Sequence, residues 1–290
     1  MLAGLGVLAF SFSIPFTKIA VRGLDPMVAA VGRAAVASLF AGAALLIVKP
    51  PRPTRSQVWR LVPVIGGVVF GFPILLAYAL RHTASLHGSV VNGLLPLATA
   101  GLAVLRAGER PSTTYWTCSA VGFAAVAGYV IHEGGGTFHS ADVLLILAVL
   151  AAAVGYAEGA LLARELGGWQ VICWALVLGA PLTWIVTIAT AAHTGLHATL
   201  PEWAAFGYTA LFSMFLGFFA WYAGLARAGI AKAGQVQLAQ PALSMVWGWP
   251  LLGEHLSEAA LVTIVVVLGS VAIGRTAVVR IARPAEQVSH

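Results

Sequence analysis

Apolar stretches of about twenty residues follow one another along nearly the whole chain, parted only by short polar breaks. A bilayer core about 30 Å thick is crossed by about 20 apolar residues in helical form. In hydrocarbon every backbone N–H and C=O must be bonded within its own segment, which favours the helix. The stretches predict ten spans, over residues 1–19, 26–48, 58–80, 84–105, 113–131, 140–163, 169–190, 202–226, 231–252 and 258–279. Breaks such as Leu24-Asp25-Pro26, Pro50-Pro51-Arg52-Pro53 and Gly134-Gly135-Gly136 carry turn-forming residues. The first stretch lacks a basic leader and is longer than a signal-peptide core, so it reads as a true span. The expected fold class is therefore an all-α integral membrane protein.

Composition excludes a soluble alternative. Of 290 residues 60% are apolar and 9% charged, with mean hydropathy +0.92, against about 45–50% and about 25% in soluble domains. The net charge of +6 reads as topology and not as a nucleic-acid footprint, because Lys and Arg collect at cytoplasmic helix ends. With a cytoplasmic N-terminus, twelve basic residues fall inside, from Lys49 and Arg52 through Arg106, Arg110 and Arg164 to Arg280 and Arg283, whereas Lys18, Arg22 and Arg81 fall outside. Both termini are thus expected in the cytoplasm. Cys118 and Cys173 sit in apolar stretches and suggest neither a disulfide framework nor a metal site. No cofactor and no metal is expected.

The chain also resembles itself. At an offset of 145 residues Pro96 meets Pro241, Gly108 meets Gly253, Glu109 meets Glu254 and Ser112 meets Ser257, while Asn92 meets Gln237 and Thr99 meets Ser244. Each copy holds five spans, an odd number, so the second is inverted relative to the first. The expected units are residues 1–132 and 139–281, followed by a tail over 282–290. Inverted repeats are a carrier architecture, with the substrate site near the midplane between them.

The segments Ala77 to Ser112 and Trp221 to Glu258 both resemble the EamA repeat of the drug/metabolite transporter superfamily. That repeat has an Ala-Leu pair, small residues, a mid-helix proline, then Gly-Glu-Arg before the next helix. The second copy departs from it, with His255 in the place of Arg110. The resemblance implies ten helices as two inverted five-helix repeats in a bacterial inner membrane. It also implies export of small metabolites. In length and helix count the chain is similar to aromatic amino-acid exporters of the YddG type.

Polar residues inside spans are the candidate site, since they face the bundle interior or a wet cavity. Gln237, Gln240, Ser244 and Trp247 share one face of the ninth span, and Asn92 and Thr99 the matching face of the fourth. The competing reading is that these groups only tie helices together. Tyr78, His82, Trp221 and Tyr222 lie at corresponding depths and offer rings to a solute, or form an interfacial belt. Glu158 is the one deep carboxylate: a proton-coupling group, a counter-ion for a cation, or a partner for an arginine near the cytoplasmic surface. Arg33, buried in the second span, and Lys18, at the end of the first, are each placed to meet a substrate carboxylate; both stand near the outer surface, and the favoured reading is that they snorkel. Pro96 and Pro241, matched between copies, read as hinges, and Gly67 and Gly71 as a helix-packing step.

Enzymatic marks are missing. Asp25 and Asp142 stand at span ends, no Gly-x-Ser-x-Gly elbow occurs, and His193 and His197 lack the Glu of a zinc protease motif. The amide-rich, nearly uncharged interior suits an amino acid or a similar amphipathic metabolite. A proton-coupled exporter of cationic compounds is the alternative, and a non-transporting membrane protein the reading from another class. The partners expected are a small-molecule substrate and membrane lipid.

Overall fold

The computed structural model describes residues 1–134, 140–253, 257–274, 276–277 and 279–281. Residues Gly135, Gly136, Glu254 and His255 and the 282–290 tail lie outside the described residues. Twelve helices are described: α1 Leu2–Gly23, α2 Val28–Val48, α3 Arg55–His82, α4 Ser85–Asn92, α5 Leu95–Ala107 and α6 Thr113–Gly134; then α7 Ser140–Leu166, α8 Gly168–Thr194, α9 Leu200–Ala228, α10 Ile230–Gln237, α11 Ala239–Leu252 and α12 Glu258–Gly274. Strands β1 Glu109–Pro111 and β2 Val279–Ile281 form a two-stranded antiparallel ribbon, with Arg110 opposite Arg280. Among the described helices six are long and apolar enough to cross a membrane: α1, α2, α3, α7, α8 and α9. The fourth and ninth expected spans are instead each broken in two, as α4–α5 and α10–α11.

The breaks fall at equivalent places. Gly93 and Leu94 part α4 from α5, and Leu238 parts α10 from α11, so Asn92 and Gln237 each end the first piece at the 145-residue offset. Pro96 stands in the first turn of α5, where its missing N–H leaves no carbonyl unpaired. The second pieces both stop at a left-handed glycine, Gly108 with φ 63° and Gly253 with φ 71°. That conformation lets the cap N–H fold back onto the last turn and is strained for residues with a Cβ.

The copies also start alike. Thr54 and Gln57 close a capping box on α3, and Thr199 and Glu202 close one on α9; each satisfies two orphan backbone donors at the start of a long helix. Both helices then widen into π-helical turns, over Ile65–Gly71 in α3 and Thr209–Leu216 in α9. A glycine stands at the end of each widened turn for the same reason, Gly71 as its last residue in α3 and Gly217 directly after it in α9. A Cβ at Gly71 would stand 2.7 Å from the carbonyl oxygen of Gly66, and one at Gly217 would stand 2.7 Å from that of Phe212. In α3 the widening also precedes Pro73, whose ring would otherwise press on the preceding turn.

Small residues set the packing. A Cβ at Gly67 would overlap the carbonyl of Ala151, and one at Gly155 would lie 2.6 Å from the Val68 side chain, so α3 and α7 touch backbone to backbone. Helices α1 and α9 do the same where Gly6 meets the Trp221 backbone and Gly224 meets Ala3. Between lipid-immersed helices this close van der Waals contact drives association, since tails offer no hydrophobic advantage.

Candidate functional site

A small cavity lies where the irregular parts of both copies converge. Its wall is made by Phe10 and Ser13, either side of the break in α1 at Phe12, and by Val68 and Phe72 from the π turn of α3 and its exit. Ser213, Met214 and Phe218 come from the corresponding region of α9, Arg33 from α2 directly after the π turn that opens it, Ala152 and Tyr156 from α7, and Gln240 from α11. The cavity measures about 20 Å³, room for about one water.

Chemistry is unevenly spread over that wall. Ser13 and Ser213, from α1 and α9, share a hydrogen bond of 2.6 Å. Arg33 is only 3% exposed, and its Nε and Nη1 have no hydrogen-bond partner. It takes part in none of the ion pairs among the described residues. Gln240 donates a long 3.4 Å bond to the Phe10 carbonyl and leaves its Oε1 buried without a donor. Gln237 lies beside the Tyr156 hydroxyl with neither amide atom in a well-formed bond.

Aromatic layers flank the cavity along α1 and α9. Toward the Met1 end, Phe10 meets Phe218 at 4.8 Å, Tyr156 meets Trp221 at 5.3 Å and Phe218 meets Tyr222 at 5.3 Å between ring centroids. Toward the opposite end, Phe12 stacks on Trp247 at 4.4 Å and Phe16 packs on Tyr208 at 4.6 Å.

The residues singled out in the sequence divide into three groups. Gln240 lines the cavity, and Gln237 stands behind it at Tyr156. Ser244 and Trp247 instead close the seam between α11 and α1: Ser244 Oγ donates to the Ser11 carbonyl at 2.6 Å, and Trp247 Nε1 to Ser11 Oγ at 2.9 Å. The Ser11 carbonyl is open to Ser244 because Pro15, four residues on, has no N–H, while the Ser11 hydroxyl that accepts from Trp247 itself donates to the Leu8 carbonyl at 2.7 Å. Trp221 and Tyr222 are fully buried in the layer below the cavity, and the Tyr222 hydroxyl donates to the Gly155 carbonyl at 3.1 Å. Gly159 leaves the space that the Tyr222 ring fills.

The remaining candidates stand apart from the cavity. Thr99 donates back to the Leu95 carbonyl at 2.7 Å, Asn92 is buried at the α4 break with its Oδ1 unpartnered, Tyr78 is half-buried and His82 exposed. Pro96 and Pro241 are buried beside the two breaks. Glu158 is held by Arg106 of α5 in an ion pair, with Arg106 Nε at 2.6 Å, and does not reach the cavity. Lys18 donates to the carbonyls of Leu80 and Thr83, both at 2.8 Å, and so closes the end of α3.

Arg33 departs from its expected place at the outer surface. The π turn over Val28–Gly32 rotates the start of α2 so that the next residue faces inward. Tyr156 and the Ser13–Ser213 pair were not singled out by sequence, because a tyrosine and two serines in apolar helices carry no depth signal of their own. The Gly-Glu motif has an explicit use: buried Glu109 accepts from the Ile230 and Ala231 N–H groups at 2.9 and 2.8 Å and lies 3.5 Å from Arg164. A carboxylate there offsets the positive end of α10. Among the described residues no three His, Cys, Asp or Glu side chains gather to hold a metal.

Comparison with known proteins agrees with this architecture. The model of the EamA-like transporter family matches twice, over residues 1–131 and 139–275. The uncharacterized transporter YdeK of Bacillus subtilis (strain 168) is 42% identical over 93% of this chain and 94% of its own length. A probable terminal-alkyne amino-acid exporter of Streptantibioticus cattleyicolor is 26% identical over 89% of this chain and 86% of its own. A solved crystal structure shares the fold with a TM-score of 0.72 at 20% identity, covering 93% of this chain and 97% of the other. By family model and by close relative alike, the chain belongs to the EamA-like transporter family.

Proposed function

We propose that this protein is a secondary transporter that exports small neutral metabolites, amino acids above all, by alternating access through the central cavity. The observation that carries the reading is the cavity itself, at the meeting of α1, α3 and α9, where α3 and α9 widen at matching positions in the two copies and α1 breaks. Such irregular backbone is tolerated at membrane depth where it is buried in protein or lines a wet space.

On this reading α4–α5 and α10–α11 each cross the bilayer once, so the twelve helices make ten crossings in two inverted five-helix units. Both termini lie in the cytoplasm of a bacterial cell, in keeping with the distribution of Lys and Arg. The layer of Phe10, Phe218 and Trp221 then faces the cytoplasm and the layer of Phe12, Phe16, Tyr208 and Trp247 the outside. Each layer is a gate. Rocking one copy against the other parts one while the other stays packed.

Amino acids as substrates are supported by the uncharged donors and acceptors at the cavity and by the name of the Streptantibioticus relative. A cationic substrate has less support, because Glu158 is taken by Arg106 and the charge at the cavity is positive. The test is solute flux in proteoliposomes of the purified protein, with labelled phenylalanine, leucine, threonine and a cationic dye, each with and without a pH gradient. Saturable amino-acid flux without a gradient is the expected result. Dye movement driven by the gradient would move the reading to a multidrug antiporter, and no flux of any solute would make the protein a non-transporting partner.

A further inference from the structure

We infer that Arg33 is the group that binds the substrate's carboxylate, so that a free carboxylate is required of any ligand of this cavity. The inference deepens the transport reading and rests on it for the word substrate, but the binding it describes can be measured separately. A guanidinium keeps its charge under all ordinary conditions, and a buried charge without a counter-ion is strongly disfavoured unless something neutralises it. Arg33 is in that position: 3% exposed, on the cavity wall, with Nε and Nη1 lacking any acceptor.

Among the described residues no carboxylate lines the cavity, and those in ion pairs are engaged elsewhere. Glu158 is held by Arg106, Asp142 by His87, Glu109 by Arg164 and the start of α10, and Glu165 by Arg60. The groups that do face the cavity with Arg33 are hydroxyls, the Gln240 amide and aromatic rings. None of them carries negative charge, so the missing counter-ion is supplied from outside. A carboxylate suits a guanidinium through charge-assisted hydrogen bonds. The rest of the wall, from Phe10 and Val68 to Phe72, Met214 and Phe218, takes an apolar side chain. The unpartnered Gln240 Oε1 is an acceptor for a neighbouring ammonium, but no acidic residue on the wall makes that ammonium obligatory.

The ligand class is therefore a small amphipathic monocarboxylate, of which a neutral amino acid is one kind. Simple amines are excluded, because the guanidinium repels them and nothing compensates.

Calorimetric titration of the purified full-length protein tests this with L-phenylalanine, 3-phenylpropionate, L-phenylalaninamide and phenethylamine. The two carboxylates are expected to bind and compete, and the amide and the amine to bind at least about a hundredfold more weakly. Arg33→Gln is expected to lose carboxylate affinity by about a hundredfold or more and with it the preference for acid over amide, and Arg33→Lys to retain part of both. The ligand series on the unmodified protein stands even if Arg33→Gln does not fold. Equal binding of acid and amine, no binding of either carboxylate, or unchanged preference in a folded Arg33→Gln protein overturns the inference. Arg33-dependent carboxylate binding without flux sustains it and removes the transport reading; flux indifferent to Arg33→Gln does the reverse.

Discussion

Residue by residue, the charged groups described fall into two kinds: carboxylates paired with a cation, such as Glu158 with Arg106, and Arg33, buried on the cavity wall outside any ion pair. Glu158 is 7% exposed while its partner Arg106 is 57% exposed, so the two ends of this pair are unequal. Removing the arginine strands a buried carboxylate, whereas removing the carboxylate frees a cation that water already reaches. Arg106→Ala is therefore expected to lower unfolding stability by about 2 kcal/mol or more and Glu158→Gln by about 1 kcal/mol or less, as read from thermal unfolding in one detergent. Glu109→Ala leaves the Ile230 and Ala231 N–H groups without acceptors and is expected to cost about 2–3 kcal/mol.

Sequence made some of these roles legible and hid others. The motif glutamate Glu109 announced itself by its match at the 145-residue offset, and the amides Gln237 and Gln240 as polar residues in an apolar span. Arg33 stood out as a buried cation that could meet a carboxylate, but snorkelling was the favoured reading, because depth along a span was counted on a regular helix and the π turn before it changes that count. Ser244 and Trp247 shared the right helical face with Gln240, but nothing in their spacing tells that α1 breaks opposite them and consumes their donors.

At the scale of elements, the two copies are related by architecture more than by identity. Proline and the Gly-Glu pair reveal the 145-residue offset; the capping boxes at Thr54 and Thr199 and the π turns in α3 and α9 obey it with almost no residue in common. A π turn depends on a crowded carbonyl and a glycine beyond it, a pattern that hydrophobic periodicity does not register. The ten expected spans likewise gave lengths but not the breaks after Asn92 and Gln237, since Leu94 and Leu238 are ordinary helix formers. Gly71→Ala and Gly217→Ala should each disturb the wall of the cavity, with loss of flux exceeding loss of stability. Flux assays beside thermal unfolding check this, and unchanged flux in both variants would detach the π turns from function. Thr54→Ala and Thr199→Ala should each cost about 1 kcal/mol, with little change in flux relative to the amount of folded protein.

At the scale of the whole molecule, the central cavity is about 20 Å³ with Arg33 on its wall, room for about one water. On the proposed function a solute therefore passes only if the aromatic layers separate in turn. Tethering the seam between α1 and α11 should then stop transport. After replacement of Cys118 and Cys173, a disulfide between cysteines placed at Ser11 and Ser244 is expected to abolish flux reversibly, with activity restored by reductant. The most direct measurement is counterflow: uptake of trace labelled phenylalanine into proteoliposomes preloaded with unlabelled phenylalanine. The account predicts transient accumulation above equilibrium that saturates with the internal load and disappears in Arg33→Gln. Uptake that is independent of the internal load and rises linearly with concentration would contradict an alternating-access carrier.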